Sequence, residues 1–331
     1  MEINSQPHSV KKIALCEGIM GGSWTDHMAS ELEAQKSSFP LSIDWERVDI
    51  NADGWVGKLK TFDAVLWPPG CMGIKPSSHL KEKIFFLQYH MKKLVVPNFE
   101  TVWHFESKVA QSFLFQWYNI PTPRTVVTSS LQNAYRLLSR ENYPLVFKTS
   151  SDAASRGVRL VKGRPKAQFL AWWSLYGGFW WKVTRRLLRL DYRDNVSYWQ
   201  SFIPKNDRDL RITAIGAKYA IGFWRENRPR DFRASGSGRI NYRLPVPEDL
   251  LKFCLETNRR LNFDSMAYDI IFDDQRYLVT EISYTYIDGA IHNADGYYEY
   301  VGNSELIFRE GHTWPQHLWV KWFAHRLAAL G

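Results

Sequence analysis

The sequence predicts an α/β protein whose first part is a parallel sheet and whose second half turns antiparallel, α+β in character. Three observations carry this expectation. The first hundred residues alternate strand, loop and helix, the order that builds a parallel sheet. From Leu145 onward, short apolar runs are joined by tight turns instead. Length and composition leave room for both textures: 331 residues correspond to about two domains at roughly 150 residues each. Hydrophobic residues at 45% and charged residues at 23% exclude disorder, a collagen-like repeat and a coiled coil.

Taken in order, KKIALCEGI reads as the first strand, followed by a loop carrying Gly18, Gly21 and Gly22 and a helix TDHMASELEAQ capped by Thr25 or Asp26. TFDAVLWPPG and KKLVVPNFE are further strands ending in turn residues, with HLKEKIFFLQYHMKK as a helix between them. A second region opens near Asn98, where SKVAQSFLFQWYN is helical and IPTPR is a proline-marked turn before RTVVTS. LVFKT and GVRLVK are short strands around a polar loop. YWQSFIP, DLRITAIG and KYAIGFWRE follow, with Gly216 and Ala217 as a tight turn. The loop DFRASGSGRIN, a helix PEDLLKFCLETNRRL and the hairpin SMAYDIIFDDQRYLVTEISY complete the pattern, and HLWVKWFAHRLAAL has apolar residues at core-helix spacing.

The net charge of +9 favours an anionic partner: phosphate, acidic sugar, nucleic acid or lipid. Cys16, Cys71 and Cys254 are odd in number and widely spaced, which argues against a disulfide framework or structural zinc and suits a reducing cytoplasm. The apolar run IALC is too brief for a signal peptide. The longest apolar stretch, Ala167 to Trp181, is broken by Gly177 and Gly178 and is too short to span a bilayer.

Three groups of residues could carry chemistry. In the last hairpin, Asp269, Glu281 and Ser283 share a sheet face if Asp269 opposes Glu281, which needs an odd loop such as Asp274, Gln275 and Arg276 between Asp273 and Tyr277. Carboxylates facing each other at about 5 Å repel by roughly 3 kcal/mol at an effective dielectric near 20, so the pair wants a cation. All-oxygen ligands suit Mg²⁺ rather than zinc. Solvated polar positions on the open side of a sheet would show the same spacing. Lys148 ends an apolar strand before the loop SSDAASRG, and Lys108 opens the helix after NFETVWHFES. Either lysine taken singly could be a solvated charge. The loop DFRASGSGR sets small residues between Arg233 and Arg239, a form that can close over a phosphoryl group or simply connect two elements.

Other groups speak less clearly. His292, His312 and His317 with Glu299 and Glu310 lack any regular metal-ligand spacing. Lys182, Arg185, Arg186, Arg189 and Arg193 follow Trp172, Trp173, Trp180 and Trp181 closely, which suits either a peripheral contact with a membrane or lipid-linked glycan, or a solvated helix face over core tryptophans. No nucleic-acid signature accompanies the charge, so no nucleic acid is expected.

In this order, the residues from Asn98 to Ser283 resemble the ATP-grasp superfamily, in its branch of RimK-type amino-acid ligases and D-alanine:D-alanine ligase. FRASGSG followed by SMAYD and EISY is similar to ATP-grasp proteins of capsule and surface-polysaccharide synthesis. The resemblance implies an N-terminal parallel-sheet domain over 1–97 and two antiparallel-sheet subdomains, 98–198 and 199–331, clasping ATP. It implies that Lys108 and Lys148 contact phosphates, that Gln200, Ser201, Phe202 and Ile203 hold the adenine edge, and that Asp209 approaches the ribose. Asp269, Glu281 and Ser283 would hold Mg²⁺, with serine standing where the family has asparagine. Arg225 and Arg233, with Arg239 beside them, would face the transferring phosphoryl group. The implied activity is an ATP-dependent, ADP-forming carboxylate–amine ligase working through an acyl phosphate, with an acidic small molecule or glycan, such as a uronic acid of a surface polysaccharide, and an amine as substrates. An amino-acid or peptide ligase, or a non-catalytic nucleotide- or glycan-binding module, are the alternatives.

Overall fold

The computed structural model describes residues 10–17, 23–68, 79–149, 157–176, 195–229, 231–234, 236–302 and 305–329. Gly18, Gly21, Gly22, Cys71, residues 150–156 of the loop SSDAASRG, Ser235, and the segment 177–194 with Trp180, Trp181 and its basic residues lie outside the described residues.

The N-terminal unit is a parallel sheet in the order β2-β1-β3-β4, formed by Lys11–Cys16 (β1), Ile43–Val48 (β2), Ala64–Leu66 (β3) and Leu94–Val96 (β4). β1 lies inside the sheet, and its last four residues are buried, as befits a parallel strand covered on both faces. The first helix, Ser23–Gln35 (α1), begins two residues ahead of the expected cap, so Thr25 and Asp26 fall in its first turn rather than before it.

The central unit is an antiparallel sheet, β5-β8-β6-β7, from Thr125–Thr128 (β5), Leu145–Lys148 (β6), Val158–Val161 (β7) and Ser197–Ser201 (β8). Helices Leu131–Leu138 and Arg164–Tyr176 seal one face through Ala134, Leu138, Leu170 and Ala171. The expected border at residue 199 falls inside β8, whose residues 197–201 pair with β5 and β6; Ser201 therefore belongs to the central sheet.

The C-terminal sheet runs β13-β12-β9-β10-β14-β15, with the short β11 (Ile240–Asn241) beside β10. Its members are Arg208–Ile215 (β9), Tyr219–Glu226 (β10), Ser265–Phe272 (β12), Tyr277–Ser283 (β13), Gly296–Val301 (β14) and Glu305–Glu310 (β15). The turn between β9 and β10 needs Gly216: its φ is +56°, and a Cβ there would lie 2.2 Å from the Trp322 ring. The helix Glu248–Leu261 packs on β9 and β10, and the last helix, Pro315–Ala328, packs on α1, so the C-terminal unit also covers the N-terminal sheet. Buried Asp264 ties the chain just after β4 to the last helix, accepting from the Asn98 backbone (2.7 Å), Trp322 Nε1 (2.8 Å) and Arg326 Nη1 (2.7 Å).

The hairpin reaches the expected pairing by a different route. Asp269 does oppose Glu281, but the loop holds four residues, Asp273 to Arg276, closing between the paired Phe272 and Tyr277. An even loop alone would have slipped the register by one. An irregularity after Asp269, where Ile270 pairs Val279, leaves Thr280 as the extra residue that restores it. Among the described residues, no helix is long and apolar enough to cross a membrane. Trp173 is buried while Trp172 is partly exposed.

Candidate functional site

The central and C-terminal sheets line a half-open cleft between them, the concave kind of place where small molecules bind. Val146, Lys148 and Val158 face it from the central sheet, and Asp209, Asp269, Ile271 and Glu281 from the C-terminal sheet. The connection Gln200 to Ile203 and the residues Phe232, Arg233 and Ala234 complete the lining. Period-two alternation accounts for the pairs: Val146 with Lys148 on β6, and Asp269 with Ile271 on β12, each share a face.

The two lysines come from different elements. Lys108 is the first residue of the helix Lys108–Trp117, whose N-cap Ser107 accepts from the Ala110 backbone. It is buried, with Nζ 3.9 Å from Glu281 Oε1. Lys148, at the end of β6, is also buried and donates to the Thr280 carbonyl at 3.4 Å, bridging the sheets. Burial pushes its ammonium down to about 8; Glu281 and then Asp269 oppose this, and Lys108 adds to it. An ammonium so placed gains most from a polyanionic ligand that repays its lost hydration.

The acidic residues have unequal surroundings. Glu281 keeps 42% of its side chain exposed. Asp269 is buried and gripped: Arg211, its β9 partner, donates from Nε (2.8 Å) and Nη2 (2.9 Å), and Arg225 Nη2 lies at 2.9 Å. Burial works against the charge, yet the two guanidiniums hold the Asp269 carboxyl below the usual carboxylate range. Arg225 in turn makes a two-bonded pair with Asp209, at 2.7 and 2.5 Å. Two acids and two arginines thus form a neutral buried network along neighbouring strands.

Several expected roles are altered by these partners. Arg225 is buried between Asp209 and Asp269 rather than turned toward a transferring group, and Asp209 lines the cavity with its carboxylate already taken. Arg239 pairs with Glu226 at 2.6 Å with 54% of its side chain exposed, and does not line the cavity. Ser283 donates to the Thr285 carbonyl at 2.9 Å and accepts from the Thr285 N–H, a local turn that takes its hydroxyl away from Asp269 and Glu281. The Ser201 N–H is bonded to the Arg124 carbonyl and so is already used within the fold. Gln200 is buried and its amide donates to Thr125 Oγ1. Arg211 was not singled out by sequence reasoning, although its place two residues after Asp209 on an alternating strand puts both on one face. His292 and His312 lie side by side, ring centroids 5.7 Å apart, but among the described residues there is no metal-binding group of three: His292 stacks on Trp314 and His317 pairs with Glu31.

The donor set fits a hard divalent ion. Asp269 and Glu281 are cross-strand partners with oxygen donors only, and Asp269 keeps one lone-pair site, on Oδ1, beyond the three that the arginines use. With Ser283 committed elsewhere, water and ligand oxygens would complete the shell, the usual habit of Mg²⁺.

No protein-family model matches the chain. It is 27% identical over 190 residues to the alpha-aminoadipate–LysW ligase LysX of Saccharolobus solfataricus, a match covering 57% of this chain and 65% of that one. It is 24% identical over 180 residues to the enzyme of the same name from Sulfurisphaera tokodaii, covering 54% and 59%. The chain thus spans somewhat under two thirds of the length of the curated relatives it matches. Among solved structures it is similar to D-cycloserine synthetase DcsG, with a TM-score of 0.58 at 14% identity over 96% of this chain and 99% of that one. It is also similar to D-alanine–D-alanine ligase from Bacillus anthracis complexed with ATP (0.54, 13%, covering 83% and 86%). A RimK-domain ATP-grasp protein from Sphaerobacter thermophilus follows (0.51, 15%, covering 82% and 90%). The fold is the ATP-grasp fold.

Proposed function

We propose that this chain, with the fold of ATP-grasp ligases, is an ATP-dependent carboxylate–amine ligase acting on amino-acid substrates. The observation that carries the reading is the convergence of Lys148, Asp269 and Glu281 on one cavity between two antiparallel sheets, with Lys108 reaching Glu281 from a helix start behind the lining. The names of the relatives support an amino acid on one side of the bond. None of them supports the uronic acid or surface polysaccharide expected from the sequence, nor a membrane or glycan contact. The buried unpaired thiols of Cys16 and Cys254 suit a reducing compartment such as the cytoplasm.

The residues would divide the work as follows. Apolar Val146, Val158 and Ile271 wall a base, and the connection through Phe202 and Ile203 presents backbone groups to its edge. Lys148 and Lys108 would neutralise phosphate oxygens, and Arg233 would face the transferring group from the cavity lining. Asp269 and Glu281 would hold Mg²⁺, which supplies charge neutralisation at the phosphates when bound. Arg211 and Arg225 keep the Asp269 carboxylate ionised and fixed. The γ-phosphoryl group passes to a substrate carboxylate oxygen, releasing ADP. The amine then attacks the acyl carbon, phosphate leaves and the nitrogen loses a proton. Positioning and charge neutralisation are the protein's main contributions to such a transfer.

The test is Mg²⁺-dependent ADP release measured against panels of amino acids and of uronates, each with amine co-substrates. Turnover with amino acids that is lost in Glu281→Gln is expected. Turnover with uronates alone would move the reading to polysaccharide precursors, and nucleotide binding without transfer to any carboxylate would leave a binding module.

A further inference from the structure

A short strap, Asp231 to Ala234, contributes three residues to the cavity lining, and its four residues have distinct surroundings. Phe232 meets Phe202 edge to face, ring centroids 5.6 Å apart at 87°, and both line the cavity. Arg233, the next residue, also lines it, while its guanidinium rests on Asp231: Nε lies 3.0 Å from both carboxylate oxygens and Nη2 2.6 Å from one. Ala234 is buried and completes the wall. The strap is anchored at its base, where the Asp231 N–H donates to the Arg228 carbonyl (3.0 Å) and the Arg228 N–H to the Arg233 carbonyl (3.2 Å).

We propose that this strap joins base recognition to phosphate recognition: Phe232, seated on Phe202, is the outer wall of the base slot, and Asp231 holds Arg233 in reserve until a phosphate chain draws it in. This rests on the nucleotide reading of the cavity. A ring in the lining offers a π-face to any base, and aromatic–base contacts contribute about 1–3 kcal/mol each, or about ten-fold in affinity near the lower end. Asp231 and Arg233 are adjacent to Phe232 in the chain, so seating the base fixes where the arginine starts from. The pair is part-exposed, with 26% and 20% of the two side chains accessible. Releasing it therefore costs little, and a triphosphate can compete for the guanidinium where a neutral nucleoside cannot.

The experiment is calorimetric titration of the full chain with adenosine and with Mg-ATP. Phe232→Ala is expected to weaken both by about ten-fold, and Phe232→Trp to restore both. Asp231→Asn is expected to leave adenosine affinity unchanged and to strengthen Mg-ATP by about two- to five-fold, the worth of a surface ion pair. Adenosine binding to Phe232→Ala at the wild-type affinity would overturn the slot assignment. An unchanged ratio of ATP to adenosine affinity in Asp231→Asn would overturn the reserve role of the acid. Should Phe232→Ala fail to fold, Phe232→Leu carries the same comparison. A wild-type chain that binds neither ligand would instead overturn the nucleotide reading itself.

Discussion

The two cross-strand carboxylates, alike in sequence and in expected chemistry, should part company when each is neutralised. Asp269→Asn removes one charge from a buried network of two acids and two arginines, turning a neutral set into one carrying a net positive charge. Two N–H groups of Arg211 and one of Arg225 lose an ionised acceptor, and part of the new amide confronts them as a donor. Breaking a buried pair by removing one partner costs about 3–5 kcal/mol, a large share of a total stability of about 5–15 kcal/mol. Glu281→Gln meets different conditions: its side chain is 42% exposed and Lys108 Nζ lies 3.9 Å away. Both ammoniums beside it, Lys108 and Lys148, are buried, so a loss of about 1 kcal/mol is expected there, still well below that of Asp269→Asn. Urea unfolding followed by tryptophan fluorescence at pH 7 reads the difference, and ADP release reads the function, which both substitutions should abolish. Adding Arg211→Met to Asp269→Asn restores charge balance and should recover part of the lost stability without recovering activity. Equal urea midpoints for Asp269→Asn and Glu281→Gln would refute the account of the network.

Two further outcomes follow from buried groups. His104 is fully buried beside Trp103 and Phe263, neither ring nitrogen has a hydrogen-bond partner among the described residues, and burial, with Lys81 adding, pushes it down to about 3 from an ordinary 6.5. The unfolded chain therefore takes up a proton first as pH falls, so stability present above about pH 6.5 is lost toward pH 3, by about 2 kcal/mol between pH 7 and pH 5; urea midpoints should show this slope in the wild type and a smaller one in His104→Phe. Lys148, pushed down to about 8, should be drawn back to the charged form by bound phosphates, so nucleotide binding takes up as much as one proton near pH 8–9 and weakens as pH rises through about 8. Calorimetry in two buffers of different ionisation enthalpy measures that uptake, and its absence at pH 8.5 would separate Lys148 from the phosphates.

Much of the architecture was legible because its signals are local. The alternation of strand and helix over the first hundred residues, the proline-marked turn near residue 121, and the period-two runs after Leu145 all register in a few consecutive residues. The pairing of Asp269 with Glu281 was legible as a parity requirement, but the means of meeting it was not, since a bulge at Thr280 and a four-residue loop satisfy the same parity as a loop of three. The border within β8 was not legible because sheet membership of that strand is settled by partners 50 to 75 residues earlier in the chain.

By itself the sequence determined which side chains share a face, since alternation along a strand is a property of the covalent chain. It thereby put Lys148, Asp209, Asp269 and Glu281 on faces that could meet. Only the tertiary structure decided what each of them touches: Arg211 reaches Asp269 across 58 residues of chain because β9 lies beside β12, and Arg225 reaches Asp209 because β10 lies on the other side. Arg239 was lost to Glu226 at the end of β10 for the same reason, whereas Ser283 was lost to Thr285 two residues on, through a local turn. A charge or hydroxyl leaving water takes the acceptor or donor that folding brings within 3 Å, and that neighbour is chosen by strand order, which no short stretch of sequence encodes.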